Sequence, residues 1–170
     1  MIRNDDMYIF RKIKENEVSL MFQLILDRLK WMDKKNINHW NVLGYDKIYP
    51  ISYYEEKFQQ GHIYALVNAN TNEILSAAVL LEEDESWENN DPSIYIHNFI
   101  SKVGLPGIGK IFLKYTEDFA KLKGKKYLRL DSSGDNAKLT EYYNKLGFIP
   151  VGTCVYVDGR YKGVLRQKEI

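Results

Sequence analysis

"GLPGIGK", Gly104 to Lys110, sets three glycines within six residues and closes them with a lysine. Glycine allows backbone angles closed to other residues and lets a ligand approach the main chain. Counted from Gly104, the spacing to Gly109-Lys110 has the frame of a nucleotide-binding P-loop. Counted from Gly107, it begins as a dinucleotide fingerprint. A third reading is a cradle for a coenzyme pyrophosphate, and a plain turn ahead of a helix is a fourth. The P-loop needs Ser or Thr after its lysine to hold the nucleotide's metal, and Ile111 stands there. The dinucleotide fingerprint needs a third glycine where Phe112 stands. What survives is the physics common to all of them: a strand, a glycine turn and a helix start whose free N–H groups and dipole favour negative charge.

The pattern around this stretch places it in a mixed sheet. Before it, 8–13 reads as a short strand, and a helix follows on Val18, Met21, Phe22, Ile25, Leu29 and Met32, spaced at three and four residues. Residues 51–60 read as a second helix ending at Gly61, and 62–69 and 73–82 as strands around the turn-rich "NTN". The polar run 82–93 reads as a long loop, and 93–101 as another strand. After the glycines, Ile108, Ile111, Phe112, Tyr115, Phe119 and Leu122 form one apolar helical stripe, with Pro106 suited to its first turn and Gly124 to its stop. A strand is expected over 126–131, then a helix from Asp135-Asn136 to Gly147, then two strands around Asp158-Gly159. The order is β, two helices, three strands, helix, strand, helix, two strands.

Composition narrows the class. A chain of 170 residues suits one domain with its own core. Its 24 basic and 23 acidic residues create no global field toward nucleic acid or an acidic membrane. Cys154 is the single cysteine, which excludes an internal disulfide and a multi-cysteine zinc site, and His39, His62 and His97 form no ligand pair. No apolar run reaches the length of a signal peptide or a membrane span, so a soluble, cytoplasmic protein is expected.

Two linked motifs make the chain resemble the GNAT superfamily of N-acetyltransferases over nearly its whole length. In that family a strand leads into Arg/Gln-x-x-Gly-x-Gly/Ala at a helix start. "GLPGIG" (104–109) keeps the last two glycines, has Gly104 at the Arg/Gln position, and follows its strand by about two residues fewer than usual. "DNAKLTEYYNKLGF" (135–148) resembles the family's Asn-x6-Tyr-x3-Gly-Phe through Asn136, Tyr143, Gly147 and Phe148. The resemblance implies a single GNAT-like α/β (α+β) domain over 1–170. Its sheet would be mixed and mostly antiparallel, of six to seven strands, with about four flanking helices. It also implies acetyl-CoA as cosubstrate, no metal, and a primary amine as acceptor.

Carried over residue by residue, the resemblance puts the pyrophosphate on Gly104, Leu105, Pro106, Gly107, Ile108, Gly109 and Lys110. The pantetheine arm falls to Asn136 and to Phe99, Ile100 and Ser101, where the family's strand splays. Tyr143 becomes the acid beside the coenzyme sulfur; it and its neighbour Tyr142 point about 100° apart on one helix. Asp131 and His97, near strand ends in mid-sheet, are candidates to take the amine's proton. Trp31, His39 and Trp40 flank the segment that shapes the acceptor pocket. Each has a plainer reading: Asn136 as a helix N-cap, Lys110 as a solvated face, the aromatics and Tyr143 as core, Asp131 and His97 as structural hydrogen-bond partners. Cys154 reads as a small core residue and not as an acyl-carrying nucleophile.

The expected activity is transfer of acetyl from acetyl-CoA to a primary amine, of a small molecule, by direct attack in a ternary complex. Two alternatives stay open: a non-catalytic acyl-CoA-binding or regulatory module on the same fold, and acetylation of a protein or peptide. A homodimer is compatible with the sequence.

Overall fold

The computed structural model describes residues 7–170; the first six residues of "MIRNDDMYIF" lie outside the described residues. The chain divides into two compact units.

The first unit comprises the described residues up to Leu80 together with Asn98–Tyr115. Strand β1 (Tyr8–Lys12) pairs antiparallel with β2 (Ile63–Asn68), and β2 with β3 (Ile74–Leu81). Burial in β3 is continuous from Ile74 to Leu80 with no in–out alternation, which suits its small residues Ser76, Ala77 and Ala78. Helix α1 (Val18–Lys34) buries Val18, Met21, Ile25 and Met32, the stripe its three- and four-residue spacing predicts. Its start is tied to β1: the Glu17 carboxylate accepts from both terminal nitrogens of Arg11, at 2.7 and 2.9 Å, and from the Lys14 N–H at 2.7 Å. The aromatic core runs from Phe10 to Phe112, 5.6 Å between centroids, and to Tyr115 at 6.1 Å.

Between the two helices expected from sequence, where no element is assigned, the chain forms two four-residue helices, α2 (Trp40–Leu43) and α3 (Tyr45–Ile48). They turn at Gly44, which is left-handed at φ 69°. Trp40 stacks flat on Tyr45 at 4.1 Å, and the Asn41 amide donates to Asp33 and to the Ile37 carbonyl. Tertiary contacts, not periodicity, hold such short helices. Helix α4 (Ile51–Gln59) follows and packs Tyr54 against Phe22 of α1.

The second unit comprises Leu81–His97 and Thr116–Ile170. It contains the first half of β4 (Ser93–Ser101), parallel to β5 (Tyr127–Ser133), and β5 pairs antiparallel with β7 (Tyr161–Glu169). β7 pairs in turn with β6 (Ile149–Tyr156). β5 runs two residues further than the sequence suggested, because Ser132 and Ser133 continue the ladder opposite Val164 and Gly163. Asp131 therefore sits inside a strand and not at its end, and so does His97.

The polar loop 82–92 is fixed by Arg129. That guanidinium is fully buried, stacks 4.6 Å from the Trp87 ring, and donates to Asn89 Oδ1, Gln167 Oε1 and the Tyr95 hydroxyl. Burying a charge is costly unless its hydrogen bonds are made, and here they are. Two further helices complete the chain: α5 (Ile108–Leu122) and α6 (Ala137–Lys145), the latter capped by Asn136. Among the described residues the strand order is β1-β2-β3-β4-β5-β7-β6, seven strands at the upper end of the expected number, and the α-helices number six where about four helices were expected. Among the described residues no helix is long and apolar enough to cross a membrane.

Candidate active site

In the first unit the glycine turn lies between β4 and α5. Gly104 and Gly107 both take positive φ, 86° and 87°, and a Cβ built on either would meet nothing within 4 Å. The turn is thus left-handed backbone with open space beside it. The left-handed Gly107 cannot continue a helix, so α5 begins at Ile108 and Pro106 precedes it instead of opening its first turn. The Ile108 N–H turns back to the Leu105 carbonyl and that of Ile111 to Gly107. No backbone carbonyl among the described residues accepts from Gly109 or Lys110. These are the donors a helix start offers to an anion. Leu105, Pro106 and Lys110 are exposed.

The strand end leading into this turn is more engaged than its sequence suggests. Phe99 sets its ring edge-on to Phe112 at 5.2 Å. The Ile100 carbonyl accepts from the Ser76 hydroxyl at 2.8 Å, and the Ser101 carbonyl accepts from Arg28 at 2.9 Å. Arg28 also lies over the Trp31 ring at 4.8 Å. One residue before Phe99, Asn98 is left-handed at φ 51° inside the strand. It is held there by two tyrosines: Tyr53 donates to its Oδ1 at 2.8 Å, and its Nδ2 donates to the Tyr45 hydroxyl at 2.7 Å. A left-handed residue inside a strand breaks the ladder and re-aims the residues beyond it. An asparagine among strand formers was the available signal. His39 stacks on Trp40 at 5.8 Å, and burial pushes its imidazole below the usual pKa.

The second unit gathers the titratable candidates. Tyr143 is buried on α6, edge-on to Tyr142 at 5.2 Å and to Phe148 at 5.8 Å. Burial, with Tyr142 and Asp131 nearby, raises its phenol well above the ordinary range, while Arg166 works the other way. Arg166, also buried, donates to Ser132, Asn144 and Thr140, and so clamps the α6 turn that carries Tyr143. Asn136 serves as the N-cap, accepting from the Leu139 N–H at 3.0 Å. Cys154 is half-buried, and burial lifts its thiol to about 11, far from a nucleophile's range.

His97 and Asp131 each have a partner that sequence reasoning missed. His97 Nε2 lies 2.8 Å from Asp84 Oδ2, and Asp84 Oδ1 accepts from the Ser86 N–H at 2.8 Å. Burial works against the Asp84 charge, but the bonds from His97 and Ser86 outweigh it and keep its pKa below normal. Asp131 accepts from the Tyr161 hydroxyl at 2.9 Å, yet burial dominates and its pKa is raised. Among the described residues no three such side chains converge to hold a metal.

Asp131 carries a stability consequence. A carboxyl whose folded pKa exceeds its unfolded one loses stability as pH rises from the unfolded value through the folded one. Above that window the ionised Asp131 is a net cost. Asp131→Asn keeps an oxygen for Tyr161 and removes the charge, so it should raise Tm at pH 8, by about 2–4 °C for each kcal/mol recovered, and lower the gain toward pH 4. A Tm at pH 8 below that of the wild type would contradict this reading.

No family model matches the sequence, and no curated protein matches it. Solved structures do. A GNAT-family acetyltransferase from Listeria monocytogenes is 18% identical, with 96% of this chain and 95% of that one covered at a TM-score of 0.75. The PaiA N-acetyltransferase from Thermoplasma acidophilum, solved with coenzyme A, is 13% identical, with 96% and 99% covered at 0.71. A ribosomal-protein alanine N-acetyltransferase from Escherichia coli is 14% identical, with 96% and 94% covered at 0.64. At such identities likeness speaks for architecture, and the architecture is unambiguous: this chain has the fold of the GNAT acetyltransferases.

Proposed function

We propose that the chain is an N-acetyltransferase of the GNAT superfamily, which moves acetyl from acetyl-CoA to the primary amine of a small molecule in the cytoplasm. The observation that carries this reading is the 104–110 turn. Its two left-handed glycines leave open space, and the Gly109 and Lys110 N–H groups lack a backbone acceptor among the described residues, which fits a pyrophosphate. Acetyl-CoA supplies an acyl group already activated as a thioester.

The chain's own residues then handle position and protons. The 104–110 backbone holds the coenzyme's phosphates. Tyr143, kept protonated by its burial, donates toward the departing sulfur. An aliphatic amine, with a pKa near 10.4, arrives protonated and must lose that proton to become a nucleophile. Stacked Trp40 and Tyr45, beside Tyr49 at 5.0 Å, offer flat apolar surface with polar edges, which suits a compact acceptor.

The test is selective stabilisation. Acetyl-CoA at about 100 times its dissociation constant should add about 2.7 kcal/mol, a clear rise in Tm. ATP with magnesium should add nothing. A shift with ATP-magnesium and none with acetyl-CoA would sink the coenzyme reading. Release of free coenzyme A thiol across polyamines, aminoglycosides, amino acids and short peptides then selects the acceptor class. Turnover of peptides alone would replace the small molecule with a polypeptide.

A further inference from the structure

Asp131 and His97, the two candidates to take the amine's proton, both lie in the second unit, and they are not equivalent. Asp131 has one oxygen committed to Tyr161, and its environment is dominated by burial. His97 is partly open, its side chain 26% exposed, and among the described residues only its Nε2 is engaged. The long polar loop 82–92, which the fold alone leaves without a task, supplies that engagement. Trp87 anchors the loop against Tyr95 and Leu165, the Ser86 hydroxyl meets the Tyr156 hydroxyl, and the Ser86 N–H fixes Asp84 Oδ1. The other carboxylate oxygen is left facing His97 Nε2 at 2.8 Å.

We propose that Asp84 and His97 form a working pair in which His97 Nδ1 is the general base and Asp84 is its positioning residue. The proposal rests on the acetyltransferase reading above. An ionised carboxylate only accepts hydrogen bonds, so the hydrogen between the two belongs to Nε2. A neutral ring with hydrogen on Nε2 carries its lone pair on Nδ1, and this is the atom able to take a proton. The proton passes from R–NH3+ to Nδ1, the freed nitrogen lone pair bonds to the thioester carbonyl carbon, and the C–S bond breaks with its pair on sulfur. The Tyr143 hydroxyl hydrogen-bonds the departing sulfur, which takes up a proton as coenzyme A is released. The amide nitrogen sheds its second proton, and after His97 re-equilibrates with water one proton in net leaves to solvent. Asp131 on β5 lies within electrostatic reach of His97. Tyr161 of β7 holds Asp131, and Cys154 and Tyr156 of β6 sense both carboxylates.

The pair makes a prediction that simple loss of structure does not. In Asp84→Asn the amide oxygen stays on the Ser86 N–H, so the amide nitrogen, a donor, turns to His97 Nε2. The hydrogen of the ring must then move to Nδ1, and the base is blocked. Asp84→Ala removes the orienter without imposing the wrong tautomer. We therefore expect Asn to be the worse substitution. Turnover with the best amine of the panel should fall about 10²- to 10⁴-fold in Asp84→Asn and less in Asp84→Ala, with acetyl-CoA affinity unchanged in both. The same acid-to-amide swap beside the histidine of serine proteases costs about 10⁴-fold.

The tautomer is read directly, without any acceptor, from the ring 15N shifts of His97 at pH 8, assigned with His97→Gln. The wild type should show a bare Nδ1 and a protonated Nε2, and Asp84→Asn the reverse. A wild-type ring protonated on Nδ1 would overturn the pair whatever the enzyme acetylates. A flipped tautomer with wild-type turnover, chemistry being rate-limiting, would overturn the base assignment alone. Failure of acetyl-CoA to bind, read separately by Tm, would instead remove the acetyltransferase reading.

Discussion

Tyr143→Phe should bind acetyl-CoA as the wild type does and turn over at least tenfold more slowly. The ring packs edge-on against Tyr142 and Phe148, and phenylalanine fills the same volume, so fold and coenzyme affinity should survive. What is lost is one hydroxyl. Its acidity sets the size of the effect. A free thiol has a pKa of about 8.5 and a phenol about 10, and burial raises Tyr143 further. Full proton transfer to an already formed thiolate is therefore uphill. A hydrogen bond that strengthens as charge collects on sulfur is not, and the nearby Arg166 favours charge at the phenol oxygen. The loss should accordingly fall in the lower part of the range of about 10²- to 10⁴-fold typical of general acids, and not below tenfold. Tyr142→Phe, on the more exposed neighbour, should lose far less. Single-turnover kinetics isolate the chemical step. If that step runs at the wild-type rate in a folded Tyr143→Phe protein, the acid role is withdrawn.

The parts of the molecule legible in the sequence are those encoded locally. The stripe of α1, Val18-Met21-Ile25-Met32, can be counted by eye, and Gly61, Gly124 and Gly147 mark helix ends at positive φ. The 104–109 glycines stand out by their spacing along one turn, whereas Tyr143 is set apart from Tyr142 only by the resemblance of 135–148 to a family motif. What was not legible is encoded across distance. Asp84 and His97 are 13 residues apart, one in a loop and one in a strand, and no period links them. Tyr161 and Asp131 are 30 apart. The strained Asn98 depends on Tyr45 and Tyr53, one from a helix that no sequence pattern announces and one from a helix given no role in the site. α2 and α3 are too short for any helical period to register, and stacking of Trp40 on Tyr45 decides them instead. Arg166 reads as an ordinary charge in a terminal strand, and only its three neutral partners reveal it as a clamp on α6. Candidate site residues could thus be named one at a time, while the pairs they form had to come from the fold.

Gly107→Val should leave a folded protein that binds acetyl-CoA ten- to a hundredfold more weakly. At φ 87° a β-branched residue is strained, at a cost on the order of 1–3 kcal/mol. The turn is exposed and an added Cβ meets no neighbour, so the strain can relax by moving the turn without disturbing the core. The expected fall in Tm is a few degrees. The coenzyme meets the consequence. Once the turn moves, the Gly109 and Lys110 N–H groups no longer converge on one anion, and the branched side chain stands where a phosphate must approach. A hydrogen bond to a charged partner is worth about 1.5–3 kcal/mol, so the loss of one gives about one to two powers of ten. Lys110→Ala should cost much less, because the cradle is backbone and that side chain is exposed. Titration calorimetry with coenzyme A on both variants separates the two contributions. Wild-type affinity in a folded Gly107→Val protein would place the pyrophosphate away from this turn, whatever the rest of the chain does.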